Sequence, residues 1–183
     1  MDAYKAILTK RDTRDYEVRE IPEDVVSRIL QAGRMAGSSK NEQPIRVIVV
    51  RDAAQKTELA NCGDFTKPLL TSPLVIVLVR IDGSRPFDAG RAGQNMMVAA
   101  QSWGITSCPI AIQRDDDARK VLRLPPDQRV AMALTFGYPT GGHVRSRGEP
   151  RLALEDYVHW ERWGQCWSRS APNRCSDSED GDG

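Results

Sequence analysis

The size and charge balance of the chain describe one globular domain rather than a nucleic-acid or polybasic membrane binder. Its 183 residues, 40% of them hydrophobic, are enough to bury one sizeable core. Its 26 basic and 25 acidic residues nearly cancel, whereas a general nucleic-acid binder carries a strong basic excess.

Neither the N-terminal residues nor the apolar runs predict a membrane partner. Residues 1–4 lack the basic start and apolar run of a secretory signal. The longest apolar stretch, residues 74–79, is far shorter than the roughly 20 residues that span a bilayer. We therefore expect a cytoplasmic protein. The cysteines form no C-x-x-C pair, so we expect no metal site.

The first sixteen residues predict a short helix followed by a cationic loop. Tyr4, Ile7 and Leu8 recur at helical spacing, which predicts one helix over residues 2–9 with its polar face outward. The next seven residues, K-R-D-T-R-D-Y, place three cations and a threonine hydroxyl within five positions. Such a cluster suits an anion, and a phosphate is the natural candidate. A solvated surface is the alternative interpretation.

A second helix and a polar loop follow this basic run, which we define as residues 10–16. Pro22 at the start and acidic residues in the first turn predict a helix to about Met35, stopped by Gly37. Residues 37–44, G-S-S-K-N-E-Q-P, form the polar loop. The β-branched residues of positions 45–50 then predict a buried strand. Two polar segments thus bracket one helix.

The rest of the chain mixes helices and strands without strict alternation. We predict helices over residues 52–61, 88–103, 115–122 and 152–163, and strands over residues 73–79, 105–112 and 129–137. The almost wholly apolar strand at 73–79 predicts a central position in a sheet covered on both faces. Met96 and Met97 indicate core packing rather than cofactor contact. The pattern lacks a G-x-G-x-x-G turn, so it favours an α+β fold over a Rossmann unit.

The composition changes after Gly164. Residues 165–183 are dominated by Ser, Arg, Asn, Pro and Asp and end in an acidic run. This composition is typical of a disordered tail. We therefore expect one domain, residues 1–164, followed by a polar and acidic tail, residues 165–183.

The ordered set of motifs resembles the FMN-dependent nitroreductases. In that family a basic R-R-S-x-R-x-[FY] run is followed about a helix later by an S-x-N-x-Q-P loop and a hydrophobic strand, and both patterns occur here in that order. The resemblance covers most of the chain, to about Gly164. It implies a three-layer α+β fold with a mixed, mainly antiparallel sheet flanked by helices. It also implies a homodimer with FMN at the interface.

The same resemblance implies where the flavin would bind. The basic run would grip the FMN phosphate and the pyrimidine edge of the ring, and Arg14 would be the cation near the ring. The polar loop would supply amides and small side chains from the partner subunit, and the segment after Cys108 would approach the reactive ring nitrogen. The implied cofactor-binding residues are Lys10, Arg11, Asp12, Thr13, Arg14, Ser38, Ser39, Asn41, Gln43, Pro109, Ile110, Ala111 and Arg151.

Some of these assignments have simpler alternatives. Arg14 can instead be a surface ion-pair partner of Asp12 or Asp15, and the polar loop alone is a turn that ends a helix. Lys67 matches a position where relatives carry a cation near the flavin or nicotinamide, with solvation of a loop as the alternative.

Three positions depart from the family pattern. Lys10 replaces an arginine, which keeps the charge but loses bidentate contact. Asp12 replaces a serine and would repel a phosphate that it faced. Glu149 stands where a second cation is often found near Arg151, and Arg147 would compensate for it.

The resemblance implies an NAD(P)H-dependent oxidoreductase. FMN would take hydride from NADH or NADPH and reduce a nitroaromatic, quinone or similar electron-poor molecule in a ping-pong cycle, with Arg14 tuning the ring. No side chain need act as a catalytic acid or base. The alternatives are an FMN-binding or storage protein with little turnover, and specialised family enzymes for flavin breakdown, dehalogenation or ene reduction. Trp160 and Trp163 would suit the dimer contact, with a place over the monomer's own core as the alternative.

Overall fold

The computed structural model describes residues 2–141, 150–166 and 173–174, in two compact units of residues 1–145 and 146–183. The first unit holds a four-stranded sheet and the longer helices. Its helices are α1 (Ala3–Thr9), α2 (Glu23–Arg34), α3 (Ala53–Ala60), α4 (Lys67–Thr71), α5 (Pro86–Gln101) and α6 (Asp115–Leu122). Its strands are β1 (Ile45–Val50), β2 (Leu74–Ile81), β3 (Thr106–Ile110) and β4 (Gln128–Gly137).

The sheet has the strand order β1-β2-β4-β3, and every strand pair in it is antiparallel. Strands β1 and β3 therefore lie at opposite edges. An isolated parallel bridge joins Asp12 to Ser107 on β3 and extends the sheet edge with the basic run. This architecture confirms the α+β class and the mainly antiparallel sheet. Within the described ranges, no helix has the length and apolar composition needed to cross a bilayer.

Alternate residues of β2 point into two separate cores. Leu74, Ile76 and Leu78 pack with residues of α2 and α5 on one face. The valines between them pack with Leu59 of α3 and Leu69 of α4 on the other face. Since a strand alternates its side chains between faces, β2 is buried on both sides. Its predicted central position is confirmed.

Helices α2 and α5 pack closely at Gly33. A Cβ atom built at Gly33 would overlap the side chain of Met96, so the missing side chain allows this approach. Met96 is 1% exposed and Met97 is 8% exposed. Their predicted core role is confirmed.

Two expectations about burial are wrong. Tyr4, Ile7 and Leu8 of α1 are 68%, 56% and 53% exposed, and only Ala6 is buried, because this short helix packs through its smallest residue. In β1, only Val50 is buried. The reason is position, because β1 is an edge strand, and unlike β3, which bridges to Asp12, it has no further bridge on its outer side among the described residues.

The sequence predicts no helix between residues 61 and 72, because the five residues of α4 are too few to show a helical period. Its five residues start with Lys67 and continue with Pro68 near the first position, which suits a helix start. A turn of 3-10 helix, Ser39–Asn41, lies in the polar loop.

In the part of the second unit that the structure describes, α7 (Leu154–Tyr157) is a single helical turn, and β5 (Gln165–Cys166) pairs with β6 (Asn173–Arg174) in a two-residue ladder. The predicted helix over residues 152–163 is wrong. No residue of α7 is buried and Trp163 is 88% exposed, so no apolar face supports a longer helix. Apart from this ladder, the predicted disordered tail lies outside the described residues.

Candidate functional site

Backbone hydrogen bonds hold the basic run along the edge of the sheet. The amide of Thr13 donates to the carbonyl of Ser107 on β3 at 3.1 Å. The amide of Glu17 donates to the carbonyl of Tyr138 at 2.8 Å, just past β4. The run is therefore a fixed extension of the sheet.

Tyr16 fixes this run from inside the protein. Its side chain is 5% exposed. Its hydroxyl donates to the carbonyl of Thr13 and lies 2.7 Å from the hydroxyl of Thr135. The Thr135 hydroxyl in turn donates to the carbonyl of Cys108 at 3.1 Å. Two hydroxyl hydrogens serve these three contacts, so at any moment two of the three are hydrogen bonds.

Burial also determines the charge of Tyr16. Desolvation raises the pKa of its hydroxyl well above the ordinary value, against a smaller lowering by the Thr135 hydrogen bond. The neutral hydroxyl is the form that can donate to Thr13. Tyr16 thus stays a hydrogen-bond donor throughout the physiological pH range.

The cations of the run differ in their surroundings. The ammonium group of Lys10 pairs with the carboxylate of Asp12. The guanidinium of Arg11 donates to the carbonyls of Leu8 and Lys10 at 2.9 and 2.7 Å. Arg14 lies beside Cys108, where its charge partly opposes the rise in the thiol pKa that burial and Asp12 cause. Cationic groups therefore cluster beside β3.

Two buried hydroxyls beside these cations have no hydrogen-bond partner among the described residues. They belong to Thr13, which is 4% exposed, and Ser107, which is fully buried. Most buried hydroxyls are paired, and an unpaired one costs about 1–3 kcal/mol. A ligand oxygen that reached Thr13 would supply a partner. The residues of the run thus suit a phosphate group, and within the described chain no cluster of ligating side chains suits a metal ion.

The polar loop lies at the other edge of the sheet. The Ser38 hydroxyl accepts a hydrogen bond from the backbone amide of Gln43 at 2.8 Å. Lys40, Asn41 and Gln43 have φ angles of 48°, 56° and 49°, a region that residues other than glycine seldom adopt. Since the loop leads into β1 and the basic run pairs with β3, about 14 Å of sheet width separates the two attachments.

This loop borders a groove of about 620 Å³ between α2, α5 and the start of β1. Ser38 and Gln43 line it together with Arg34, Arg46 and Met96. Ser39 is exposed outside it. Asn41 is exposed as well and does not line the groove. Of the predicted loop residues, Ser38 and Gln43 therefore line the groove, and the loop lies apart from the basic run of the same chain.

The segment after Cys108 presents its residues in different directions. Pro109 is half-buried and lines a groove of about 380 Å³ with Gln94 and Met97 of α5. Ile110 is buried in the opposite core. Ala111 is exposed just past the end of β3. Only Pro109 and Ala111 thus have side chains available to a ligand.

The turn before α4 is tied to the end of this segment. The Asp64 amide donates to the Gln113 side chain at 3.0 Å, and the Asp64 carboxylate pairs with Arg114 at 2.6 Å. Lys67 begins α4 and is exposed. At the other end of α4, the Thr71 hydroxyl contacts the carbonyl of Arg14 at 3.5 Å. The structure therefore brings the basic run, β3 and α4 together.

Arg151 lies in the second unit and is exposed. Arg147 and Glu149 lie outside the described residues. The roles suggested for these three positions stay predictions.

Three residues of this region, Tyr16, Thr135 and Ser107, have no role in the sequence-based predictions. Tyr16 is the aromatic residue that ends the basic run, and this position in the family pattern is a signal for its role. Thr135 stands between Leu134 and Phe136 in an apolar strand, and a polar residue in such a place indicates a specific hydrogen bond. Ser107 offered no comparable signal.

The fold is a four-stranded antiparallel sheet with helices, and the basic run lies along its β3 edge. The chain belongs to the nitroreductase family, whose model matches residues 7–63 and 69–138. The predicted family membership is confirmed.

Individual relatives agree with this membership. The chain is 27% identical over 173 residues to a provisionally named NADH dehydrogenase/NAD(P)H nitroreductase of Methanothermobacter thermautotrophicus, covering 89% of this chain and 88% of the relative. It is 28% identical to the FMN reductase [NAD(P)H] of Bacillus subtilis strain 168, covering 88% and 74%. A solved FMN-dependent nitroreductase of Clostridium difficile R20291 shares its fold, with a TM-score of 0.78, 23% identity and coverage of 86% and 98%.

Proposed function

We propose that this chain is an FMN-dependent oxidoreductase that accepts hydride from NADH or NADPH and reduces nitroaromatic, quinone or similar electron-poor molecules in a ping-pong cycle. Family membership and relatives named for NAD(P)H and FMN support the proposal. The observation that carries it is the fixed basic run, which holds three cations and the unpaired hydroxyl of Thr13 within five residues. This arrangement suits a flavin phosphate.

Each part of the chain would have a separate task toward FMN. When bound, FMN supplies the hydride chemistry. Arg11 and Thr13 would bind its phosphate, and Arg14 would place a positive charge near the ring, which favours the reduced anionic form. Pro109 would cover one face of the ring. Tyr16 would keep the run in place through the Thr13 carbonyl.

We further propose that the site is completed in a homodimer. The polar loop and the basic run attach at opposite edges of one sheet, so the loop of a second copy is better placed to approach the run. The exposed apolar side chains of α1, at Tyr4, Ile7 and Leu8, offer a surface for subunit contact. In this arrangement Ser38 and Gln43 of each chain serve the site of the other, together with Ser39 and Asn41.

A steady-state assay tests the proposed activity. FMN-loaded protein is mixed with NADH or NADPH and a quinone acceptor, and nicotinamide oxidation is followed by absorbance. We expect turnover that depends on both the acceptor and the bound flavin. Protein that retains FMN but oxidises neither nicotinamide would contradict the reductase assignment and favour the storage alternative.

A pair of matched variants tests the role of Arg14. Arg14→Gln removes the cation beside β3 and should lower kcat/KM for the nicotinamide by about tenfold or more. Arg51→Gln removes an exposed arginine that pairs with Glu23 and should change kcat/KM by less than about twofold. Equal losses in the two variants would show that Arg14 has no special part in the reaction.

A further inference from the structure

Asp12 places a negative charge in the middle of the basic run. Its carboxylate pairs with the ammonium group of Lys10, whose side chain is only 12% exposed, whereas that of Asp12 is 44% exposed. Because Lys10 is largely shielded from water, solvent and salt screen this pair less than a fully exposed one. The charge of Lys10 is therefore compensated within the protein itself.

Backbone contacts hold both partners of this pair. The Lys10 amide donates to the carbonyl of Ala6 at 2.9 Å, at the end of α1. Asp12 forms the bridge to Ser107, and the backbone amide of the next residue, Thr13, donates to the Ser107 carbonyl. The pair is thus part of the folded run. An anion that binds Lys10 has to displace Asp12 or tolerate its carboxylate as a neighbour.

The remaining charges of the run compensate a phosphate only weakly. Residues 10–15 contain three cations and two carboxylates, which leaves one excess positive charge. A phosphate monoester carries a charge of about −1.5 to −2 near neutral pH. The terminal hydroxyl of a ribityl chain carries none, so a carboxylate beside it costs little.

We propose that Asp12 determines how strongly the site prefers a phosphorylated flavin, and that it lowers the preference for FMN over riboflavin. This inference rests on the proposed function, because it assumes that the flavin phosphate binds at the basic run. Asp12 acts as an internal competitor for Lys10. The ligand class is a flavin whose ribityl chain ends in either a phosphate or a hydroxyl.

The test compares the two flavins on the same full-length protein. Flavin-free protein is titrated separately with FMN and riboflavin, and the quenching of flavin fluorescence gives each Kd. The variants are Asp12→Asn, which keeps the size of the side chain, and Asp15→Asn, which removes a nearby charge without touching the Lys10 pair. Circular dichroism confirms that each variant is folded.

We expect Asp12→Asn to tighten FMN binding by about tenfold and to leave riboflavin binding within about twofold, since a charge a few ångströms away typically changes such equilibria by this amount. Asp15→Asn should change the ratio of the two Kd values by less than about threefold. An unchanged ratio in Asp12→Asn would overturn the inference while leaving the proposed function intact.

A double-mutant cycle separates competition from a general charge effect. If Asp12 occupies Lys10, Lys10→Gln should weaken FMN binding more in the Asp12→Asn background than in the wild type, by about threefold or more. Equal losses in both backgrounds would contradict the competition. If neither flavin binds to any form of the protein, the proposed function itself fails, and this inference fails with it.

Discussion

Tyr16 shows how a single buried residue can position a charged surface segment. Its hydroxyl reaches the Thr13 carbonyl within the basic run and Thr135 on the central strand β4, 119 positions along the chain. The charge cluster itself is local in sequence and was therefore predictable. The contact that positions it was not, because Thr135 is distant in sequence: the sequence signals both residues but not that they meet.

Removing the hydroxyl in Tyr16→Phe leaves the Thr13 carbonyl without its side-chain donor. We expect the free energy of unfolding to fall by about 1–3 kcal/mol, the cost typical of an unpaired buried polar group, and FMN to be retained less well. Urea unfolding measures the first effect. The control is Tyr4→Phe on α1, which is 68% exposed and should stay within about 0.5 kcal/mol of the wild type. Equal stability of all three proteins would contradict the role of Tyr16.

The raised pKa of Tyr16 predicts a loss of stability at alkaline pH. Burial raises the folded-state pKa, whereas an unfolded tyrosine ionises near pH 10. Above that pH the unfolded chain releases the proton first, so this contribution to stability is present below about pH 10 and declines above it. The difference in unfolding free energy between wild type and Tyr16→Phe should therefore shrink by about 1.4 kcal/mol between pH 8 and pH 11. A difference in unfolding free energy that stays constant or grows between pH 8 and pH 11 would contradict this role of the buried Tyr16 hydroxyl.

Gly137 provides the space that the Tyr16 ring occupies. A Cβ atom at Gly137 would lie 2.6 Å from the ring and 2.9 Å from Cδ of Pro73. Because hydrogen bonds hold the ring, we expect Gly137→Ala to cost about 1–3 kcal/mol, as measured by thermal unfolding. Gly90→Ala is the control, because no heavy atom lies near its new methyl group and alanine favours a helix by up to about 1 kcal/mol. Similar stability of the two variants would refute this steric account.

At the scale of elements, the sequence predicted best where burial is strongest. The apolar run of β2 predicted a central strand, because every residue from Leu74 to Val79 is buried. The same logic failed for β1, because β-branched residues do not distinguish an edge strand from a central one. It also failed at α7, where an apolar pattern predicted a long helix but Leu152 and Tyr157 are more than 70% exposed. A helical pattern is stable only where another surface covers its apolar face.

Lys56 connects α3 to the end of α4, the helix that contacts the basic run. It lies on α3, is 9% exposed, and donates to the carbonyl of Ser72 at the end of α4 at 2.8 Å. Lys56→Met keeps the aliphatic part but leaves that carbonyl without its donor, so we expect a loss of about 1–3 kcal/mol in urea unfolding. Lys5→Met, at an exposed position of α1, should change stability by less than about 0.5 kcal/mol. A neutral Lys56→Met would mean that α4 is held by its apolar contacts alone.

At the scale of the whole molecule, the sheet separates the two polar motifs that the sequence places one helix apart. The basic run lies along β3 and the polar loop leads into β1, at the opposite edge. Their order in the chain could be predicted, but not this separation, because it depends on strand order. In the proposed dimer a second copy of the chain overcomes this separation, because the polar loop of each chain then lies beside the basic run of the other.

The most direct test of the flavin assignment is an absorbance spectrum of the purified protein, followed by anaerobic addition of NADH and NADPH to separate samples. We predict a yellow protein whose flavin absorbance is lost with at least one of the two nicotinamides. In the proposed cycle the nicotinamide transfers hydride to the bound FMN. A protein that cannot be loaded with FMN, or whose flavin stays oxidised with both nicotinamides, would contradict the proposed function.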